Sequence, residues 1–285
     1  MYNLKLLFGS IEYFLPYIDD DRITYTYKFH KGYRVQNKAL SIFPNIGKLL
    51  INDWQKDIDK TDIFIIFDSH YMREVAKYIK RINPNSKIYF YFWNLIDEYN
   101  QHFLNESIID EFWTFDKEDA RKYNIHYNPQ FYAKNISIEN KPNVVDTFFL
   151  GREKDRKEIV SIIDSKLQSR NINSRIYLIP NQSTLFSYDT YLDKISQSKS
   201  ILDIVNPNQS GLTLRVMESL FFKKKLITNN LFISEYDFYN SQNIFILGKD
   251  REEDLHDFIN SNYIDVDDSI VTSYDYHNWV KRFTK

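Results

Sequence analysis

The residues best placed to do chemistry lie in the segment 201–230, where an apolar run ends at Val205 and a polar loop leads into a helical pattern. The end of the loop and the start of the helix consist of Ser210, Gly211, Leu212 and Thr213. Because free backbone N–H groups and the positive end of the helix dipole meet at such a loop, it favours a phosphate. Glu218 lies about 7.5 Å further along the helix, where a carboxylate suits the hydroxyls of a ribose. A surface position near a turn is an equally good interpretation of Glu218.

A second group of candidates lies where another predicted strand meets a helix, at residues 149–157. Gly151 is followed by Arg152, and Lys157 stands five positions after that arginine. An arginine fork matches phosphate oxygens and a lysine acts as a point charge. Taken alone, the segment fits the solvent-facing start of a helix better than a phosphate site. Both basic residues and the loop before Thr213 fall at the same edge of one predicted sheet, which favours a shared anion site.

The elements that position these residues follow a repeated pattern of short apolar runs, polar loops and amphipathic stretches, which is typical of strand-helix units around a parallel sheet. In the first half, strands are predicted at 4–8, 22–29, 63–67, 88–92 and 112–115, and helices at 46–58, 71–82 and 117–123. In the second half, strands are predicted at 144–150, 176–179, 201–205, 225–228 and 244–247, and helices at 153–168, 188–197, 213–222 and 250–260.

This pattern predicts an α/β protein with two Rossmann-like domains that face each other across a cleft. The polar connector at residues 134–143 sets the boundary, so residues 1–143 form the first domain and residues 144–270 form the second. Residues 271–285 carry aromatic and apolar side chains at helical spacing, and we expect them to form a helix that crosses back onto the first domain.

The composition limits the classes of function. The chain has 285 residues, which is long enough for two domains. Its 37 basic and 39 acidic side chains give a net charge of -2, which argues against nucleic acid as a partner. It has no cysteine, which excludes disulfides and fits a reducing cytoplasm. The histidines show no metal-site spacing, and no apolar run approaches the ~20 residues of a membrane span.

A run of three lysines, Lys223 to Lys225, follows the predicted helix that contains Glu218. Lysines favour the negative end of a helix dipole, so a solvated helix end is the first interpretation of this run. Recognition of an anionic membrane usually needs a larger basic cluster. The run therefore predicts at most a weak peripheral contact with a membrane.

The pair Gly151-Arg152 with Lys157, and the loop Gln209 to Thr213 with Glu218, resemble the donor half of a GT-B glycosyltransferase. The runs WTFDKEDA, at 113–120, and YNPQFY, at 127–132, are similar to bacterial lipopolysaccharide and capsule biosynthesis proteins of this fold. Many retaining members have two glutamates with seven residues between them, whereas Ser210 occupies the first of these positions here. The sugar and the stereochemistry of transfer therefore stay open.

The resemblance implies that the second domain binds a nucleotide diphosphate sugar without a bound metal. The implied donor-binding residues are Gly151, Arg152, Lys157, Pro180, Asn206, Ser210, Gly211, Leu212, Thr213 and Glu218. The loop before the helix would hold the diphosphate, Glu218 would hold the ribose, and the two basic residues would stabilise the departing diphosphate. The base of UDP or GDP is expected near Pro180 and Asn206.

The first domain is implied to bind the acceptor, a glycan or a lipid-linked oligosaccharide. The candidates at its strand ends are Ser10, Tyr13, Trp93 and Asn94 for acceptor binding, and Asp68 and His70 for catalysis. Aromatic rings there can stack on sugar faces, and Asp68 or His70 can take a proton from an acceptor hydroxyl. An N-cap role for Asp68 and a place in the first turn of a helix for His70 are competing interpretations.

These inferences point to a hexosyltransferase that extends a surface glycan such as lipopolysaccharide, capsule or exopolysaccharide. We expect it in the cytoplasm, with weak peripheral contact at the inner face of the membrane. The missing first glutamate leaves open a non-catalytic subunit of the same fold, which would bind a glycan or stabilise a partner enzyme. A nucleotide-sugar epimerase is a third alternative. The sequence does not determine the donor base, sugar, acceptor, linkage or oligomeric state.

Overall fold

The computed structural model describes residues 2–9, 14–28, 33–68, 72–153, 156–180, 186–206 and 209–284. Within these ranges the chain forms two compact units, one in residues 1–129 and the other in residues 130–283. Each unit is built on a parallel sheet with helices packed against it. The α/β class predicted from the sequence is thus confirmed.

The first unit contains the sheet whose strands are β1 (Leu4–Phe8), β2 (Ile23–Tyr25), β3 (Ile63–Phe67), β4 (Lys87–Phe92), β5 (Glu111–Thr114) and β6 (His126–Tyr127). Their order is β2-β1-β3-β4-β5-β6, and neighbouring strands run parallel. The chain places β2 on one side of β1 and all later strands on the other. In open parallel sheets, ligands bind beyond the carboxyl ends of the strands at such a switch point, which here follows Phe8 and Phe67.

The helices of the first unit are α1 (Tyr33–Ile42), α2 (Pro44–Gly47), α3 (Met72–Ile82) and α4 (Lys117–Tyr123), with 3-10 turns at residues 15–17, 48–50, 53–60 and 101–105. The predicted helix at 46–58 is wrong, because Asn52 is extended and separates two 3-10 turns. Of the predicted strand at 22–29, the described residues 22–28 contain the strand β2. Asp116 caps α4 by accepting hydrogen bonds from the backbone N–H groups of Glu118 and Asp119.

The second unit contains the strands β7 (Val145–Arg152), β8 (Ser174–Ile179), β9 (Ser198–Asp203), β10 (Lys225–Thr228) and β11 (Ile244–Ile246). Their order is β11-β10-β9-β7-β8, again with parallel neighbours. Read from β8, this order repeats that of the first five strands of the first sheet, with β7 in the place of β1 and β9 in the place of β3. The switch point of the second sheet therefore lies between β7 and β9. Candidate ligand groups of this unit are therefore expected beyond Arg152 and Asp203.

The helices of the second unit are α5 (Lys157–Ser169), α6 (Tyr188–Ser196), α7 (Leu214–Phe222), α8 (Leu255–Asn260), α9 (Asp268–Ser273) and α10 (Tyr276–Trp279), with 3-10 turns at residues 231–235, 252–254 and 280–284. The core between sheet and helices includes Phe149, Leu202, Ile227 and Phe245, all buried. None of the helices in the described ranges has the length and apolar character needed to cross a membrane.

The C-terminal helices pack on the start of the second unit. The Tyr132 N–H donates to the Tyr274 carbonyl at 3.0 Å, and the Tyr276 N–H donates to the Tyr132 carbonyl at 2.8 Å. The rings of Phe131 and Trp279 lie 4.2 Å apart, centroid to centroid. These contacts fix the tail on residues 131 and 132. The boundary at residue 143 and a tail that crosses to the first domain stay predictions.

Candidate functional site

Asp203 is the centre of the polar groups beyond the carboxyl ends of β7 and β9. It is the last residue of β9 and has no exposed surface. Its Oδ1 accepts hydrogen bonds from the Thr213 hydroxyl, at 2.8 Å, and from Arg215 Nε, at 3.0 Å. Its Oδ2 accepts a hydrogen bond from the Thr228 hydroxyl, at 3.0 Å. Because a buried carboxylate needs such partners, Asp203 ties β9 and β10 to the start of α7.

Arg215 donates to this carboxylate, and the guanidinium group of Arg156 is near enough to interact electrostatically with both residues. Arg215 lies over the ring of Phe149, 5.1 Å from its centroid, and its Nη1 donates to the Leu150 carbonyl at 3.4 Å. Arg156 is 9% exposed and donates from Nη1 to the Ile204 carbonyl at 2.9 Å. Its buried Nε has no hydrogen-bond partner among the described residues. Burial and the positive charge of Arg215 lower the pKa of Arg156.

We call Arg156, Asp203 and Arg215 the arginine cluster. Its two cations and one anion leave a formal charge of one positive unit within the cluster. A buried cation that keeps an unused N–H group suits an anionic ligand, because the ligand supplies the missing charge and the missing acceptor.

The arginine cluster was not predicted from the sequence. Asp203 could have been identified as a candidate from the sequence, because it is the charged residue within the apolar run ILDIV, where burial normally favours apolar side chains. Neither Arg156 nor Arg215 stands out in the sequence in this way. They converge only because β7 and β9 are neighbours in the sheet, and strand order is not written in local spacing.

The structure brings several of the predicted donor residues to the same edge of the sheet. Gly151 and Arg152 end β7, beside the end of β8. Lys157 begins α5, and its side chain is 76% exposed. Pro180 is exposed directly after β8, and Asn206 is half-buried, three residues beyond β9. Contacts of these residues with a donor stay predictions.

The predicted phosphate loop before α7 is held in place by its own contacts. Ser210, Gly211 and Leu212 are buried, and the Ser210 carbonyl accepts a hydrogen bond of 3.2 Å from the Tyr236 hydroxyl. Thr213 caps α7 through its hydroxyl, which accepts from the backbone N–H of the third helical residue. Since that hydroxyl also donates to Asp203, both of its hydrogen-bonding functions are engaged. An anion at this point would therefore rely on backbone N–H groups and on the helix dipole.

Glu218 lies on α7 and has no exposed surface. Its carboxylate oxygens accept hydrogen bonds from the hydroxyls of Tyr188, at 2.8 Å, and Tyr191, at 2.5 Å. The Tyr188 hydroxyl is also 2.6 Å from that of Tyr132. Burial raises the pKa of Glu218 to about 7, and the hydrogen bonds from the two tyrosines oppose that rise. A ribose contact by Glu218 stays a prediction, and it requires a tyrosine hydroxyl to give up its place on the carboxylate.

Asp68 directly follows β3 at the switch point of the first sheet. Its Oδ2 accepts weak hydrogen bonds from the side-chain amides of Asn94, at 3.5 Å, and Asn100, at 3.3 Å. Its backbone N–H donates to the Tyr91 carbonyl at 2.9 Å, which fixes the residue against the end of β4. Asp68 is half-buried and Asn94 is exposed, so both predicted residues lie at the surface of this edge.

Trp93 follows β4 and belongs to a cluster of rings at the same edge. Its ring centroid lies 5.1 Å from that of Phe67 and 6.3 Å from those of Phe8 and Phe14. The rings of Phe8 and Phe67 stack at 3.8 Å. The cluster holds Trp93 half-buried, with part of its ring exposed. This is the geometry in which a ring can stack on a sugar.

Three predicted residues lie outside the described ranges: Ser10, Tyr13 and His70. Within those ranges, no three His, Asp or Glu side chains lie close enough together to hold a metal ion.

Comparison with known proteins identifies the fold. No protein-family model matches the sequence, and no curated protein does. A solved structure of the lipopolysaccharide outer core galactosyltransferase WaaB, in apo form, matches with a TM-score of 0.51 at 11% identity, over 99% of this chain and 98% of that chain. A glycosyltransferase from Rickettsia africae ESF-5 gives a TM-score of 0.48 at 10% identity, over 92% of this chain and 83% of that chain. The first of these similarities shows that the chain has the GT-B architecture of two Rossmann-like α/β domains, as the sequence predicted.

Proposed function

We propose that the protein is a glycosyltransferase that moves a sugar from a nucleotide diphosphate sugar to a growing surface glycan, such as lipopolysaccharide, capsule or exopolysaccharide. The arginine cluster carries this proposal, because it places two guanidinium groups beside one carboxylate at the switch point of the second sheet. Ligands of open parallel sheets bind at such a point, and arginine forks match phosphate oxygens. The GT-B fold supports the same reaction class.

In the proposed reaction, the bond between the anomeric carbon and the diphosphate oxygen breaks, and the same carbon forms a bond to an acceptor hydroxyl oxygen. The diphosphate gains negative charge as it departs. Arg156 and Arg215 stabilise that charge, together with Arg152 and the N-terminus of α7. We therefore propose a hexosyl transfer that needs no bound metal and uses UDP or GDP as the nucleotide.

The acceptor, a glycan or a lipid-linked oligosaccharide, is proposed to bind at the edge of the first sheet. Trp93 offers part of its ring for stacking on a sugar, and Asn94 offers an exposed amide. Asp68 takes the proton that the acceptor hydroxyl loses. Amide hydrogen bonds from Asn94 and Asn100 orient its carboxylate for this role.

An exposed apolar surface on the first unit supports peripheral contact with a membrane. Five large apolar side chains at and after α1 are more than half exposed, and we call them the α1 patch: Val35, Ile42, Phe43, Ile46 and Leu49. No Asp or Glu stands between Arg22 and Asp53, a stretch that carries five further Lys and Arg residues. An apolar surface with basic neighbours fits an anionic bilayer. We propose that this patch makes the contact, and not the run Lys223 to Lys225.

Isothermal titration of the full chain with UDP, GDP and CMP tests the donor proposal. We expect UDP or GDP to bind and Arg215→Gln to weaken that nucleotide at least tenfold, which corresponds to about 1.4 kcal/mol. The absence of binding by all three nucleotides would overturn the proposal. So would unchanged binding by the variant.

The non-catalytic alternative is favoured by one observation. Both oxygens of Glu218 are engaged by tyrosines, and Ser210 stands where many related enzymes have their first glutamate. A purified chain that binds the nucleotide but neither transfers nor hydrolyses its sugar would establish this alternative. Conversion of the donor with no acceptor present would indicate an epimerase instead.

A further inference from the structure

A polar cavity of about 530 Å³ lies at the amino ends of β9 and β10, the end of the second sheet opposite to the arginine cluster. The 138–143 segment, the end of α8 and the residues after α8 complete its wall. The charged side chains in its lining are Glu139, Lys199, Lys223, Lys224 and Lys225. The lining itself carries four cations and one anion, in a chain whose net charge is -2.

The two lysines deepest in this wall differ from the two at its rim. Lys199 and Lys223 form ion pairs with Asp146, at 2.8 Å, and Asp265, at 2.6 Å. Lys224 is half-buried and Lys225 is 3% exposed, and neither forms an ion pair with a described residue. The buried pair therefore lacks the counter-charge that the outer pair has.

Neutral oxygen atoms hold the two buried ammonium groups instead. Lys224 Nζ donates to the carbonyls of Ser198, at 2.6 Å, and Ser196, at 3.2 Å. Lys225 Nζ donates to the Gln242 carbonyl and to the Ser261 hydroxyl, the latter at 2.8 Å. These contacts position the ammonium groups but do not neutralise them, and burial lowers the pKa of both lysines. Buried charge of this kind is costly unless an opposite charge is supplied.

We propose that this cavity is a binding site for a small phosphate-bearing ligand, separate from the donor site. The volume lies within the range of small-molecule pockets. Phosphate oxygens would supply the counter-charge that Lys224 and Lys225 lack. Amides that line the same wall, those of Asn140, Asn143 and Asn262, can donate to further oxygens of the ligand. Because the cavity and the arginine cluster lie at opposite ends of the sheet, one ligand does not fill both.

Isothermal titration with pyrophosphate tests this site. We expect wild type and Arg156→Met to bind pyrophosphate in the cavity, and Lys224→Met/Lys225→Met to lose that binding. Lys249→Met removes a charge from the surface of the same unit outside the cavity lining, and we expect it to bind as wild type does. Loss of all binding in Arg156→Met would overturn the proposal, as would unchanged stoichiometry in the double variant.

A second variant keeps the test decisive if the double variant does not fold. Asn262 is exposed at the cavity wall, so Asn262→Asp places a carboxylate there without disturbing the lysine contacts. A like charge opposes the incoming anion, and we expect pyrophosphate binding to weaken roughly tenfold or more. The same carboxylate should raise Tm, since it supplies the counter-charge. If the lysines only brace the loops, Asn262→Asp leaves pyrophosphate binding unchanged, which would refute the site.

Two further probes identify the source of the phosphate. Soluble glycerol phosphate represents a free metabolite, and vesicles of phosphatidylglycerol in phosphatidylcholine represent a lipid headgroup. Binding of either that is lost in Asn262→Asp supports the site and names its source. Failure of both probes and of pyrophosphate would overturn the proposal, and it would leave the nucleotide titration unaffected.

Discussion

Arg215 Nε donates a hydrogen bond of 3.0 Å to Asp203 Oδ1, and the Asp203 side chain has no exposed surface. The Arg215 side chain is 15% exposed, so the pair is nearly enclosed. An enclosed ion pair depends on both partners, because loss of either leaves a buried charge without compensation. The pair fixes α7 to β9 and at the same time fixes the guanidinium group that we propose binds the donor.

We expect Asp203→Asn to lower the free energy of unfolding by about 3 kcal/mol, because the buried guanidinium groups lose their only carboxylate within the arginine cluster. Urea unfolding followed by circular dichroism measures the change. Lys166→Met is the control, since it breaks a surface pair with Glu252 of 2.9 Å and should cost less than about 1 kcal/mol. Equal losses in the two variants would argue against a special role for Asp203.

Substitution of Arg156 should change the affinity for the nucleotide but hardly change the free energy of unfolding. Its Nε is buried without a partner among the described residues, and Arg215 repels it. We expect Arg156→Met to keep the free energy of unfolding within about 1 kcal/mol of wild type, because relief of repulsion offsets the lost carbonyl contact. The affinity for UDP or GDP should fall roughly tenfold. Arg170→Met, at a surface pair with Glu252, is the matched control for nucleotide titration.

The raised pKa of Glu218 predicts that the free energy of unfolding depends on pH. Burial raises its pKa from 4.5 to about 7, so between these values the folded state binds more protons than the unfolded state. The contribution of Glu218 to stability is therefore fully present below pH 4.5 and falls as the pH rises through 7, by about 1.4 kcal/mol between pH 6 and pH 8. Glu218→Gln should abolish this part of the slope, measured by urea unfolding at the two pH values.

The lower pH limit of 6 in that experiment is set by Asp119, whose carboxyl group also has a raised pKa. Burial raises its pKa to about 6, so most of its own contribution falls below the chosen window. Asp119→Asn should therefore alter the slope mainly between pH 4 and pH 6. A Glu218→Gln protein that keeps the wild-type slope above pH 6 would show that the carboxyl group does not titrate there.

Strands whose faces are both buried were predicted most accurately. The apolar runs of β1, β3 and β10 have the bounds that the sequence indicated, because nearly all of their residues are buried and the runs stand out from their polar surroundings. Helix α1 was missed, since Val35 and Ile42 are exposed and the apolar residues do not form a single core-facing stripe. A helix was predicted across Asn52, where the extended backbone of one residue ends the 3-10 turn on either side.

The candidate site was predicted only in its position. The edge that carries Gly151, Arg152 and the loop before α7 was found from strand ends, because carboxyl ends of parallel strands share an edge. Its internal contacts were not found. The bond from the Thr228 hydroxyl to Asp203, and the two tyrosines on Glu218, join residues about 25 to 30 positions apart and depend on helix and strand packing.

Asp68→Asn tests the proposed base. We expect kcat for sugar transfer to fall by about a hundredfold or more, because the amide cannot accept the proton. Nucleotide affinity should not change, since Asp68 belongs to the first unit and the donor residues belong to the second. Asp97→Asn is the control, because Asp97 accepts from the backbone N–H of Tyr99 at 2.8 Å and so holds the segment after β4 that carries Asn94 and Asn100. Similar losses of kcat in both variants would indicate loop geometry and not proton transfer.

The α1 patch predicts binding to anionic vesicles. We expect the full chain to sediment with vesicles of phosphatidylglycerol in phosphatidylcholine, to do so less as salt rises, and not to sediment with phosphatidylcholine alone. Ile42→Glu/Leu49→Glu should reduce sedimentation at least tenfold, because each change replaces an apolar contact with a charge that the anionic surface repels. Both side chains are more than half exposed, so the variant should fold as wild type does.

The matched control for this variant adds two negative charges at exposed apolar positions of the second unit. Val144 and Ile162 are exposed to a similar degree on the second unit, and Val144→Glu/Ile162→Glu adds the same net charge outside the α1 patch. We expect the control to sediment almost as wild type does, since only general repulsion changes. Equal loss in both double variants would reduce the effect to net charge. Self-association of wild type that the α1 patch variant alone abolishes, with unchanged vesicle binding, would show that the patch joins copies of the chain.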